Sequence, residues 1–131
     1  MTVRGSCLCG AVSYRTDETL RDVWACHCTQ CRKTSGHFVA ATAADRNRIQ
    51  IEGSEAVTWF ESSPGIRRGF CSRCGSQLFW DDPSSADLSL CAGAIDEGLD
   101  VSIGCHIFCA SKGVYYEIDD DIEQWPEGYG Q

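Results

Sequence analysis

Cys26-His27-Cys28-Thr29-Gln30-Cys31 places three thiols within six residues. Two further pairs flank it along the chain, Cys7-Leu8-Cys9-Gly10 before it and Cys71-Ser72-Arg73-Cys74-Gly75 after it. Ordinary core cysteines do not cluster so tightly, whereas metal ligands must, because one ion gathers sulfurs delivered by sharp turns. The seven thiols divide into four and three. Four thiolates close a tetrahedral zinc, and three leave one position for a water or a substrate. The pattern therefore predicts one structural zinc ion and one able to do chemistry.

In both flanking pairs a glycine follows the last cysteine. A knuckle turns sharply so that backbone N–H groups point at sulfur, and glycine tolerates the positive φ such a turn needs. Together Cys7, Cys9, Cys71 and Cys74 supply the donors of one closed site; the alternative is two independent pairs of free thiols. For Cys26, Cys28 and Cys31, a strand ending at Cys26 would deliver the first sulfur and the turn opening a short helix the other two. A helix N-terminus also favours the thiolate that zinc requires. Here the alternative is a second closed site, completed by Cys91, Cys105, His106 or Cys109. His27 would point away from its two cysteine neighbours along an extended segment, which predicts packing or a supporting hydrogen bond rather than ligation. His37, just after Gly36, reads as a surface residue or a substrate-site donor. Cys91, Cys105 and Cys109 read as small hydrophobes in apolar strands, and no third metal site is expected from them.

At 131 residues the chain is expected to be a single zinc-binding domain, mainly β. Short runs rich in Val, Ile, Phe, Tyr, Trp and Thr are separated by Gly, Ser, Asp and Pro. Strands are predicted over 11–16, 23–26, 37–42, 49–52, 56–61, 66–70, 76–80, 88–91, 101–108 and 114–118. One short helix is predicted over 29–35, ended by Gly36. Loop signals stand at Ser62-Ser63-Pro64-Gly65 and Asp81-Asp82-Pro83-Ser84-Ser85.

The net charge of −8 argues against a nucleic-acid or anionic-membrane partner. No apolar run approaches the roughly 20 residues that span a bilayer. The opening stretch carries no apolar signal core, so ten cysteines in a reducing cytoplasm read as metal ligands rather than disulfides. Basic residues gather beside the cysteines, Arg32-Lys33 at the trio and Arg67-Arg68 with Arg73 at the last pair. Local positive charge near a metal suits a small anionic substrate, though it also balances thiolates.

These motifs carry a resemblance. Gly5-Ser6-Cys7-Leu8-Cys9-Gly10-Ala11-Val12, Cys26 through Gly36, and Phe70-Cys71-Ser72-Arg73-Cys74-Gly75-Ser76 resemble the glutathione-dependent formaldehyde-activating enzymes (S-(hydroxymethyl)glutathione synthase-like). His106-Ile107-Phe108, Ser111-Lys112, Glu117-Ile118 and Trp125-Pro126-Glu127-Gly128 are similar to that family as well. The resemblance implies the Mss4-like fold of packed β-sheets around zinc knuckles. It also implies two zinc ions per chain: a structural one on Cys7, Cys9, Cys71 and Cys74, and a catalytic one on Cys26, Cys28 and Cys31. The activity implied is a carbon–sulfur lyase or synthase, joining glutathione or a similar thiol to formaldehyde or another small carbonyl. Arg32, Lys33 and Lys112 are candidates for pairing with the glutathione carboxylates. Two other readings stay open: a non-catalytic zinc scaffold that binds a protein partner, and a small-molecule enzyme that uses zinc-bound water.

Overall fold

The computed structural model describes residues 2–131, and within them the chain forms two compact units. The first comprises residues 2–21 and Thr42–Asp100; the second comprises Asp22–Ala41 and Val101–Gln131. In chain order the first elements are β1 (Val3–Ser6), β2 (Ser13–Thr16), β3 (Val23–Cys26), α1 (Thr29–Ser35), β4 (Val39–Asp45), β5 (Gln50–Glu52) and β6 (Val57–Ser63). They are followed by β7 (Ile66–Cys71), β8 (Gln77–Asp81), β9 (Asp87–Cys91), β10 (Ile95–Glu97), β11 (Ile103–Ile107) and β12 (Glu123–Gln124). Among the described residues the protein is thus mainly β with one short α-helix.

In the first unit, β10-β1-β2-β5 make a four-stranded sheet, and β4-β9-β8-β7-β6 run side by side in another. β1 and β2 pair antiparallel up to Ser6↔Ser13, so Cys7 and Cys9 occupy the turn of that hairpin. β7 and β8 pair as far as Phe70↔Gln77, which puts Cys71 and Cys74 in a second hairpin turn. Ladder register therefore delivers both cysteine pairs, since a hairpin turn is fixed once its strands are aligned. Val12, Leu78 and Leu90 are wholly buried, with Phe79, Val3 and Leu88 nearly so, and they form this unit's core.

The side chain of Asp81 is 1% exposed and accepts from Arg46 Nη2 at 2.8 Å and Arg67 Nε at 2.9 Å. Arg67 also lies 4.0 Å from the centroid of the Trp59 ring. Arg68, itself buried, donates to the Ser62 hydroxyl. Two of the basic residues that sequence grouped with the Cys71 pair are thus engaged in holding strands, because a buried carboxylate must be paired.

In the second unit β3 is central. It runs antiparallel to β4, with Cys26↔Val39, and parallel to β11, with Cys26↔Ile107; β12 adds to the far edge of β11. Cys28 caps α1, its sulfur accepting from the Cys31 N–H at 3.3 Å. Gly36, at φ 89°, ends the helix as the sequence predicts, its N–H returning to Arg32 O at 2.8 Å.

The predicted strand over 114–118 does not form. Instead the chain turns at Val114 and Tyr115, and Tyr115 and Tyr116 pack on each other at 4.7 Å and on His37. Gly113 permits this, since a Cβ there would lie 2.4 Å from the Tyr115 ring and 3.0 Å from that of Tyr116. Ring contacts among Tyr115, Tyr116 and His37, with Tyr115 itself left exposed, take the place of a strand ladder here. Cys109 also lies outside any strand, in a 3-10 turn entered from Phe108 at φ 55°. Among the described residues three strands went unpredicted: β1, of four residues with a single large apolar side chain (Val3), β10, of three residues, and β12, of two residues, both exposed.

Candidate metal centres

The first unit brings Cys7, Cys9, Cys71 and Cys74 together, their four sulfurs all within 4.8 Å of one another. Cys7 and Cys9 sulfurs are 3.7 Å apart, and those of Cys9 and Cys71, 62 positions distant in sequence, are 3.8 Å apart. A zinc–sulfur bond of about 2.3 Å gives a tetrahedron whose edges are about 3.8 Å, so the donors already stand at ligand spacing. The two turns share one construction. Gly10 and Gly75 lie at φ 81° and 79°, with nothing near the position of a Cβ, so glycine is required by the backbone angle and not by crowding. In each turn an amide approaches the first sulfur: Val12 N–H donates to Cys7 Sγ at 3.3 Å and Arg73 N–H to Cys71 Sγ at 3.4 Å.

Ser76 links the two knuckles, its hydroxyl accepting from Leu8 N–H at 2.9 Å and lying 3.2 Å from Cys74 Sγ. Ser76 side-chain and backbone hydrogen bonds draw the Cys74 thiol down to about 5. Cys9 behaves oppositely. The Ala11 amide pulls it down, yet burial and three cysteine neighbours together push it up to about 11. Crowded sulfurs cannot all ionise unless a cation shares them, and a dication is what this donor set fits.

The second unit gathers Cys26, Cys28 and Cys31, again with all sulfurs within 4.8 Å. Cys26 ends β3, Cys28 caps α1, and Cys31 is buried one turn further on. Among the described residues no other His, Cys, Asp or Glu joins this group. Cys91, Cys105, His106 and Cys109, the alternative fourth ligands, therefore stand outside it. The helix start does not leave Cys26 as a ready thiolate. The adjacent Cys28 and Cys31 sulfurs, and then burial, hold its thiol far above the ordinary range. Three soft donors from one short turn fit a thiophilic ion such as zinc, which would relieve the same crowding.

Around the trio's segment lies a polar chain that sequence revealed only at its first member. The His27 ring is 1% exposed; its Nδ1 is 2.6 Å from the Tyr116 hydroxyl and its Nε2 2.9 Å from His106 Nδ1. His106 Nε2 in turn lies 3.0 Å from the Asp120 carboxylate. Burial first, and the neighbouring His106 and His37 next, hold the His27 imidazole down to about 4, so it is neutral at pH 7. The hydrogen-bonding role read for His27 thus has definite partners. No local signal marked Tyr116 or Asp120, because both lie in irregular chain.

His37 is exposed, and its Nδ1 sits 2.6 Å from the Tyr115 hydroxyl. Arg32 Nε donates to Ser111 O at 3.1 Å, and Lys112 Nζ to Tyr116 O at 2.7 Å. Both cations belong to the same unit as the trio, and Lys33 is exposed on α1. Of the remaining cysteines, Cys105 is buried in β11, whereas Cys91 and Cys109 are half-buried. No helix is long and apolar enough to cross a membrane among the described residues.

The fold and its two sulfur clusters define a β-rich protein in which two hairpin turns present a four-thiol group, and a strand end with the following helix start presents a three-thiol group, each able to hold a metal ion. Over residues 2–111 the sequence matches the model of the family described as glutathione-dependent formaldehyde-activating enzyme, and the chain belongs to that family. It is 35% identical over 109 residues to a Halomonas elongata protein provisionally named glutathione-dependent formaldehyde-activating enzyme, covering 76% of this chain and 69% of that one. A crystal structure of a Rhodobacter sphaeroides protein is similar in fold, with a TM-score of 0.60 at 22% identity over 76% of this chain and 98% of that one.

Proposed function

We propose that Cys26, Cys28 and Cys31 hold a zinc ion with one coordination position open, and that the protein there joins glutathione, or a similar thiol, to formaldehyde or another small aldehyde. The observation that carries this reading is the donor count, three converging sulfurs in one unit against four in the other. Three protein donors leave room for an exogenous ligand, and four do not. A zinc so held supplies a position at which a thiol loses its proton near neutral pH. The reaction forms one C–S bond while the carbonyl becomes a hydroxyl; the proton lost from sulfur ends on oxygen, and nothing is oxidised or reduced. Run backwards, it is a carbon–sulfur lyase reaction.

The chain's own part is binding and orientation. Glutathione carries two carboxylates, and Lys112, Arg32 and Lys33 are the cations of the trio's unit suited to receive them. Backbone carbonyls at Tyr116 and Gly113 hold the Lys112 ammonium without neutralising its charge. The four-sulfur group would hold a structural zinc, giving two ions per chain. The family match over residues 2–111 runs through both units, which supports reading them as a single zinc-binding domain. Ten cysteines, seven of them clustered at metal-ligand spacing, suit a reducing cytoplasm.

The test is NMR exchange spectroscopy of glutathione with formaldehyde, with and without the zinc-loaded protein. Exchange into the S-hydroxymethyl adduct should speed up, and Cys28→Ser should abolish the acceleration while zinc content falls from two to one. Exchange no faster than the spontaneous reaction would overturn the named activity.

A further inference from the structure

We propose that Asp120 and His106 are positioning residues for the three-thiol site: they fix the tautomer of His27, and with it the direction of the Tyr116 hydroxyl and the seating of the Cys26–Cys28 segment. The inference rests on reading the trio as the working metal site.

The argument begins with what each group can donate. An ionised carboxylate only accepts. Asp120 already takes the Ile122 N–H on Oδ1 at 3.1 Å, and its oxygens stand 3.0 and 3.2 Å from His106 Nε2. His106 must therefore carry its proton on Nε2, which leaves Nδ1 as an acceptor. His27 then donates from Nε2 across the 2.9 Å contact, and its own Nδ1 accepts from the Tyr116 hydroxyl at 2.6 Å. All four ring nitrogens are satisfied in this one direction. Asp120, on an exposed stretch, so sets the polarity of two imidazoles that are 4% and 1% exposed.

Two buried histidines in contact are a costly way to fill a core, since a half-satisfied polar pair is worse than an apolar one. Their placement gives the cost a use. His27 is the single residue between two sulfur donors, so its ring orientation constrains the backbone on both sides. At the other end the Tyr116 ring is held by His37 at 4.7 Å, Tyr115 at 4.7 Å and the Lys112 ammonium at 5.3 Å. Arg32, on the helix that bears Cys31, ties back to the same stretch through Ser111. The chain therefore joins both segments that bear the trio to residues 111–120. Partners of this kind around metal sites typically alter metal affinity by about 10–100-fold.

The experiment uses the full zinc-loaded chain, Asp120→Asn, and Asp120→Glu as the conservative control. Long-range 1H–15N spectra report the tautomer of each histidine. The wild-type protein should show both His27 and His106 protonated on Nε2. An asparagine amide can donate to His106 Nε2, so Asp120→Asn should move both rings to the Nδ1-protonated form, and Asp120→Glu should restore the original pattern. Competition with a cobalt(II) probe should show second-site affinity about tenfold weaker in Asp120→Asn, with an altered sulfur-to-cobalt charge-transfer band. Unchanged tautomers in Asp120→Asn, or changed tautomers with unchanged cobalt affinity and spectrum, would overturn the proposal. If the wild-type trio takes no second metal, the functional reading fails; the tautomer result still tests the Asp120-to-His27 chain by itself.

Discussion

Removing both donors of the N-terminal knuckle, by Cys7→Ser with Cys9→Ser, should cost much more stability than removing two donors of the trio. In the knuckle cluster the sulfurs of Cys9 and Cys71, 62 positions apart, are 3.8 Å from each other, and an ion held there would close a long loop in the unfolded chain. Treated as a cross-link of that length, the tie restricts the unfolded state by about 4 kcal/mol. With an unfolding entropy of about 2.1 cal/mol/K per residue over 131 residues, each kcal/mol moves Tm by about 4 °C. The double variant should therefore melt about 15 °C below the wild type. The trio spans six residues, so the same relation gives about 2 kcal/mol as an upper bound. The true effect should be smaller, because β3 and α1 already order that segment through their own hydrogen bonds. Cys26→Ser with Cys28→Ser should thus lower Tm by about 7 °C or less. The assay is thermal unfolding followed by circular dichroism, on zinc-loaded protein under reducing conditions, with zinc content measured beside it. A knuckle variant melting within about 5 °C of the wild type, or equal losses from the two clusters, would refute the division into structural and working sites.

Asp81→Ala strands Arg46 and Arg67 around a vacated, buried position; because both arginines are partly exposed, the loss should sit near the low end for broken buried pairs, about 3 kcal/mol by urea titration. A change below about 1 kcal/mol would show that the carboxylate is dispensable. For His27 the folded value of about 4 lies below the ordinary 6.5, so the unfolded chain takes up the proton first and stability falls as pH drops through that window. Urea unfolding of the wild type at pH 7 and pH 5 should show this fall, and His27→Gln should show less of it; equal slopes would remove His27 as the source. Gly113→Ala should push the Tyr115 and Tyr116 rings apart, changing the tyrosine near-ultraviolet signal and weakening the His27–Tyr116 contact in NMR spectra, whereas an unchanged signal would mean the turn accommodates a Cβ.

The grouping of the thiols was legible in the one-dimensional chain, because side chains that share a turn are neighbours in sequence. The spacing of Cys26, Cys28 and Cys31, the capping sulfur of Cys28 and the stop at Gly36 are all short-range relations, and the helix over Thr29–Ser35 follows from them. The two Cys-Gly turns were recognisable for the same reason: each hairpin requires its glycine at positive φ wherever the rest of the chain lies. Matching the first pair to the third was also possible, since counting donors against a tetrahedron leaves few other solutions.

Tertiary structure alone decided where the remaining polar groups went. Arg67 is claimed by the buried Asp81 instead of standing ready for a substrate, and Tyr115 and Tyr116 fold back over Gly113 where strand propensity pointed to an extended run. His27 meets His106, 79 positions away, and through it Asp120. Such pairings have no period or motif, because a buried polar atom is satisfied by whichever donor the packed strands bring within 3 Å or so, and that choice exists only after the chain has closed on itself.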